Sequence, residues 1–214
     1  MRKLSLAALG VVGILAVNAH ANLLVNGGFE TGFSSWSVSG AAQVCTSTSP
    51  YCGLAYEGNY SVSLNAGDVP PSAVLDQTFT TQPGVSYSVS FAYGLVDYAG
   101  GASQQLQVEI ISQAGGPHDL LNQTVTSPPS NAFSSNVNYQ LFTFEFVADG
   151  NSATLQFTDV ATNPTVSVDG KLDAASVTSV VPEPGNLLLL ASGLIPFALR
   201  WTTRRSRRHC SNGL

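Results

Sequence analysis

Between residues 22 and 180 the chain holds few side chains that could run a reaction. His118 is the single histidine of that stretch and stands in Gly-Gly-Pro-His-Asp, next to Asp119. A Ser-His-Asp relay would need a distant serine, and no nucleophile-elbow pattern occurs. One histidine and two cysteines cannot build a zinc site. Glu30, Glu57, Glu109 and Glu145 could supply the paired carboxylates of glycoside hydrolysis. Glu109 and Glu145, however, fall in alternating strand patterns, where an outward charge is what the alternation requires. No glycine loop precedes a helix to cradle a phosphate. The body is therefore expected not to be an enzyme.

The remaining titratable groups are mostly acidic. Of eight Lys and Arg, two lie at the N-terminus and five near the C-terminus, leaving Lys171 alone in the body. Of thirteen acids, all but Glu183 lie in the body, so twelve acids stand against one base, near −11, which the whole-chain −5 conceals. Such a surface repels phosphate backbones, so nucleic acid is excluded as a partner, and anionic lipid headgroups are disfavoured. Cys45 and Cys52 flank Thr-Ser-Thr-Ser-Pro-Tyr, which is turn chemistry. A disulfide between them would stabilise by roughly 2–3 kcal/mol in the chain-entropy model.

The elements that must carry these residues read as strands. Val85, Tyr87, Val89, Phe91 and Tyr93 alternate with small or polar residues, as do Phe142, Phe144 and Phe146, and Tyr60, Val62 and Leu64. Further runs are Leu75 to Phe79, Leu106 to Ile111, Leu120 to Val125, Leu155 to Phe157, Val166 to Val168 and Val177 to Val180. Asn-Ala-Gly-Asp, Gln-Pro-Gly, Gly-Gly-Pro, Ser-Pro-Pro-Ser and Asp-Gly-Asn separate them as turns. The expectation is one all-β domain over residues 22–180, an antiparallel sandwich without a convincing helix.

Both ends stand apart from that domain. Arg2-Lys3, an apolar stretch from Leu4 to Val17 and Ala19-His20-Ala21 make a cleaved signal peptide over residues 1–21. At the other end Val181-Pro182-Glu183-Pro184 precedes an apolar run from Leu187 to Leu199, then Arg200, Arg204, Arg205, Arg207 and Arg208. As a helix that run would reach roughly 20 Å against a hydrocarbon core of roughly 30 Å. The arginines would hold the C-terminus in the cytoplasm. A buried core helix or a permanent single-span anchor are the alternatives. Order and spacing over residues 181–208 resemble the PEP-CTERM sorting domain. The resemblance implies export, a transient inner-membrane anchor, handling by an exosortase near Pro182-Glu183-Pro184, and delivery to the cell surface or extracellular matrix.

The body carries a second resemblance. Asn22-Leu23-Leu24-Val25-Asn26-Gly27-Gly28-Phe29-Glu30 with Trp36, then Glu57-Gly58-Asn59-Tyr60-Ser61-Val62-Ser63-Leu64, Gln77-Thr78-Phe79, Pro83-Gly84-Val85-Ser86-Tyr87 and Ala153-Thr154-Leu155-Gln156-Phe157 are similar to jelly-roll carbohydrate-binding modules of the CBM4/9/22 type. The resemblance implies a jelly roll and a structural calcium ion held by Glu30, Glu57 and Asp173. Family members usually carry Asp-Asp-Val before the last strand, whereas this chain has Asp173-Ala174-Ala175. Extracellular polysaccharide would be bound through aromatic rings that stack on pyranose faces. Candidate rings are Trp36, Tyr51, Tyr56, Tyr93 and Tyr98, with Asp97 between the last two, and Trp36, Tyr93, Asp97 and Tyr98 are the expected site. The alternatives are a structural matrix protein with no specific ligand and, third, a glycoside hydrolase.

Overall fold

The computed structural model describes residues 21–49, 52–64, 73–97, 101–130, 136–160 and 168–180. The chain divides into two compact units, Met1–Ser179 and Val180–Leu214. The second lies, apart from Val180, outside the described residues, as does the signal segment up to His20. Val181, Pro182, Glu183, Pro184, Arg204, Arg205, Arg207 and Arg208 all fall there.

Among its described residues the first unit holds strands and no helix. Its elements are β1 (Ser37–Ser39), β2 (Ala42–Thr46), β3 (Tyr60–Leu64), β4 (Val74–Thr80), β5 (Ser86–Asp97), β6 (Gln105–Ser112), β7 (His118–Thr126), β8 (Gln140–Val147), β9 (Ser152–Val160) and β10 (Val168–Ser179). They form two five-stranded sheets, β1-β4-β9-β6-β7 and β2-β3-β10-β5-β8, with every pairing antiparallel. This is the expected jelly-roll sandwich. Alternation fills the space between the sheets with Val62, Leu64, Leu75, Val89, Phe91, Leu106, Val108, Ile110, Leu155, Phe157 and Leu172, all closed to solvent. Phe91 meets Phe157 edge to face at 5.0 Å between ring centres. Such a unit owns its hydrophobic core and meets the requirement for folding alone.

Three differences from the sequence reading have physical causes. β1 and β2 went unseen, because Ser-Val-Ser and Ala-Gln-Val-Cys-Thr carry too few apolar residues to show a period. The runs Val166 to Val168 and Val177 to Val180 belong partly to one strand, β10, whose middle breaks the alternation with Gly170, Lys171 and Asp173. A bulge between Asp173 and Ser176, with Ala174 at φ 52°, restores the register and lets the strand continue. In β3 the polar partners Ser61 and Ser63 are as buried as Val62 and Leu64, so both faces of that strand are covered.

Candidate functional site

The N-terminal segment is built onto β10. Asn22 Oδ1 accepts the backbone N–H of Leu24 and of Val177, and its amide donates to Ala175 O. Ala175 N–H donates to Gly27 O at 3.0 Å, and a Cβ on Gly27 would collide with the Ala175 carbonyl. Glycine at 27 is thus what lets the segment touch the bulge. The next turn drives Phe29 into the core at φ 56°, an unfavourable conformation for a bulky residue that its burial offsets. Glu30 then points back to the surface.

Glu30, Glu57 and Asp173 meet around the turn 56–60. Asp173 Oδ2 accepts the backbone N–H of Tyr56 (2.8 Å) and Glu57 (3.1 Å), and Oδ1 accepts that of Ala174 (2.7 Å). Glu30 Oε1 accepts the N–H of Asn59 (2.8 Å) and Tyr60 (3.0 Å). Gly58, at φ 63°, has no room for a Cβ because the Glu30 carboxylate lies against it. Burial pushes the Asp173 carboxyl up to about 6, partly offset by the three N–H donors and reinforced by the charge of Glu57. Hard oxygen donors on separate loops suit calcium. Among the described residues, however, no three His, Cys, Asp or Glu side chains stand close enough to hold one ion. Of the three expected ligands, Glu30 and Asp173 already accept backbone N–H groups of this turn and its neighbour.

The expected sugar-stacking rings lie elsewhere. Trp36 is 7 % exposed, packs between Phe29 and Phe157, and donates its indole N–H to Asn26 O. Tyr93 is fully buried, and burial together with the charge of Asp159 raises its phenol. A ring enclosed on both faces has none to offer a sugar, so these two residues are corrected to core positions. Alternation along β5 places Tyr93 inward, as it does Phe91. Asp97 is buried as well, where its Oδ2 accepts Ala102 N–H and the Ser130 hydroxyl. It clamps two loops instead of facing solvent. Tyr98 and Tyr51 lie outside the described residues.

Exposed rings occur on the outer face of the second sheet. Tyr56 is 46 % exposed and meets the half-buried Tyr139 edge to face at 5.6 Å. The Tyr139 hydroxyl donates to Leu54 O at 3.2 Å. Leu54 and Leu141 are exposed on either side of this pair. The disulfide Cys45–Cys52, as the spacing predicts, ties the loop that carries Leu54 and Tyr56 to β2. From the other side the segment Val137–Asn138–Tyr139 lies flat on β5, because Gly94 has no side chain there to hold it off. Two loops thus roof the sheet. Beneath them lie Ser61, Ser63, Lys171 and Asp173, all at most 2 % exposed. Lys171 pairs across the sheet with Ser63 on β3 and Gly94 on β5. Among the described residues its Nζ has no hydrogen-bond partner, and burial depresses it to about 8, against the opposing charges of Asp169 and Asp173. Tyr139 was not singled out from the sequence. As the residue just before a strand it carries no signal beyond being aromatic.

His118 pairs with Asp149, not Asp119: its Nε2 stands 2.6 Å from Asp149 Oδ2. The Ser112 hydroxyl donates to the other oxygen of the same carboxylate. The acid sits between Ser112 and His118, so the imidazole is bonded to the carboxylate and not to that hydroxyl. The cluster ties the start of β7 and the end of β6 to the turn before β9.

The comparisons agree with the fold. The sequence matches the family described as "Carbohydrate binding domain" over residues 21–166. No curated protein matches. Among solved structures, TmCBM61, determined in complex with beta-1,4-galactotriose, is similar at 23 % identity and TM-score 0.51, covering 75 % of this chain and 99 % of that one. The CBM22-1 xylan-binding domain from Paenibacillus barcinonensis Xyn10C is similar at 16 % identity and TM-score 0.51, covering 78 % and 99 %. These likenesses support the jelly-roll fold, and the match over most of the sandwich places this chain in the carbohydrate-binding domain family.

Proposed function

We propose that this chain is an exported, non-catalytic polysaccharide-binding protein whose contact surface is the outer face of the second sheet, centred on Tyr56 and Tyr139. The observation that carries this reading is the ring pair itself. Trp36 and Tyr93 are spent on the core, whereas Tyr56 and Tyr139 meet at the surface with Leu54 and Leu141 beside them. Exposed aromatic and apolar side chains over a strand face are what pyranose rings stack upon. Similar structures solved with a galactotriose or named for xylan binding support polysaccharide as the ligand class.

Delivery belongs to the same proposal. Signal peptide, Pro182-Glu183-Pro184, apolar run and arginine cluster together support export, exosortase handling and residence at the cell surface or in the extracellular matrix. Calcium at Glu30, Glu57 and Asp173 would brace the turn 56–60, and with it the Tyr56 side of the surface. A structural matrix protein without a ligand is the second reading, favoured by the twelve scattered acids.

Affinity electrophoresis of residues 22–180 through gels holding galactan, xylan, polygalacturonate or the host's exopolysaccharide tests the reading, with calcium and with chelator. Retardation by at least one polymer, weakened by Tyr56→Ala, is expected. Unchanged mobility in every gel would leave the matrix reading in its place.

A further inference from the structure

We propose that Asn59 is a glycosylation site, whose side-chain amide accepts an oligosaccharide from a lipid-diphosphate carrier on the outer face of the inner membrane. The proposal rests on the export reading above and is independent of what the sandwich binds.

Two stretches of the chain hold an asparagine, then any residue but proline, then a hydroxyl residue: Asn59-Tyr60-Ser61 and Asn122-Gln123-Thr124. In a third, Asn163-Pro164-Thr165, the proline rules the pattern out. Such a spacing is common by chance, and the surroundings of each asparagine decide between the two.

Asn59 lies on the turn between the disulfide loop and β3 and is exposed. Its main chain is fixed: the N–H donates to Glu30 Oε1, and the carbonyl accepts Ser47 N–H at 2.9 Å. Among the described residues no hydrogen bond holds its side chain. Gly58, at φ 63°, bends the chain just before it, so the amide is presented on a bend and not along a strand. Glu57, two places ahead, is exposed as well and offers a transferase an anionic group to grip. A glycan on this nitrogen would displace no contact of the fold.

Asn122 stands within β7 and is engaged. Its amide nitrogen donates to Glu109 Oε1 (2.8 Å) and Asp119 Oδ2 (3.0 Å), and its oxygen accepts from Gln107 Nε2 (3.1 Å). Two carboxylates thus share one NH2 group. A glycan there would remove one of the two protons that hold them and leave like charges facing each other. The residue two places ahead is Leu120, which is apolar.

The transfer balances without an oxidant or reductant. Asn59 Nδ2 attacks the anomeric carbon of the carried sugar, and an N–C bond forms as the C–O bond to the diphosphate breaks. The lipid diphosphate leaves with the electron pair, and the displaced amide proton passes to a base of the membrane-bound transferase. Ser61 supplies the hydroxyl by which the acceptor is recognised. In the folded domain Ser61 is 1 % exposed, so the transfer must precede the packing of β3 into its sheet. Afterwards the glycan projects into solvent from the turn that carries Tyr56.

The test uses the full chain produced in its own host and recovered from the envelope and the medium. After proteolysis, mass spectrometry should find the peptide holding Asn59 heavier by whole sugar residues, and the peptide holding Asn122 at its bare mass. Asn59→Gln should abolish the added mass. Ser61→Ala should abolish it with the asparagine still in place. The first residue of the recovered chain reports export separately, since Asn22 there marks a processed signal peptide. A chain that begins at Asn22 with Asn59 at its bare mass overturns the site and leaves the export reading standing. A chain that still begins at Met1, without sugar, overturns both. Sugar on Asn122 in place of Asn59, or sugar that persists on Asn59 in Ser61→Ala, overturns the assignment.

Discussion

Two regions of this molecule are equally closed to solvent and opposite in composition. Between the sheets lie Phe91, Phe157, Leu64 and Leu172, and over the outer face of the second sheet lie Ser61, Ser63, Lys171 and Asp173. β10 contributes to both: Leu172 faces one region and Lys171 the other. The inner region lowers the free energy of folding, at roughly 25 cal/mol for each Å² of apolar surface removed from water. The outer region carries one group that raises it, the Lys171 ammonium, which gives up hydration without a hydrogen-bond partner among the described residues. Burial alone thus does not identify a core. What distinguishes the two regions is which buried groups find partners.

The comparison can be broken first from the inner side. Phe157→Ala should destabilise residues 22–180 by about 3–5 kcal/mol in urea unfolding, because the cavity would lie where Phe91 and Trp36 converge. A loss below 1 kcal/mol would mean the inner region is not the source of stability.

On the outer side the sign reverses. Lys171 has a folded pKa of about 8 against an ordinary 10.5. Between these values the unfolded chain holds the proton more often, so stability should climb as pH rises from about 8 towards 10.5. Below pH 8 the full penalty is present. Lys171→Met should accordingly stabilise by about 3 kcal/mol at pH 7 and abolish that alkaline rise. A destabilised Lys171→Met would show the ammonium to be structural.

Cutting the tether should have a smaller effect. Cys52→Ser should cost about 2–3 kcal/mol and speed amide exchange at Leu54 and Tyr56 more than at Val62 or Leu64. Uniform acceleration would mean that roof and sheet open as one unit.

The smallest effect belongs to the exposed His118–Asp149 pair, outside both regions. Hydrogen bonds to Gly116 and Asp149 raise the imidazole pKa, and the Ser112 and His118 contacts lower that of Asp149. The contribution of a raised histidine is complete below its unfolded value of 6.5 and is lost as pH rises through the folded one. That of the lowered carboxylate is lost as pH falls through its own folded value. His118→Gln should remove a shallow slope in stability above pH 6.5 and leave polymer retention unchanged.

Much of the inner region was legible in the sequence. Period-two runs such as Val85 to Tyr93 locate strands because an apolar residue on every second position has only one face to bury. The same rule misled at Trp36, Tyr93 and Asp97. An aromatic residue in a strand reads alike whether its ring faces the partner sheet or water, and only the pairing partner decides. Glu30, Glu57 and Asp173 were brought together by resemblance, and the structure sets all three around one turn. Of the cover over the outer face, Tyr56 and the Cys45–Cys52 tie were legible, but the pairing of Tyr56 with Tyr139 was not. It depends on Gly94 lacking a side chain opposite Lys171 and on Tyr139 reaching Leu54 O across 85 positions of chain, neither of which leaves a periodic trace.

β10 has a consequence in time as well as in space. It is the last strand among the described residues, yet it occupies the centre of its sheet, between β3 and β5. Until residue 179 has been synthesised, that sheet consists of two separate hairpin-like pieces, β2-β3 and β5-β8, with no strand to join them. Contacts of such long sequence separation form slowly. The first sheet, β1-β4-β9-β6-β7, needs no residue beyond Val160, so the two halves of the sandwich should close in sequence, the second only once β10 is available.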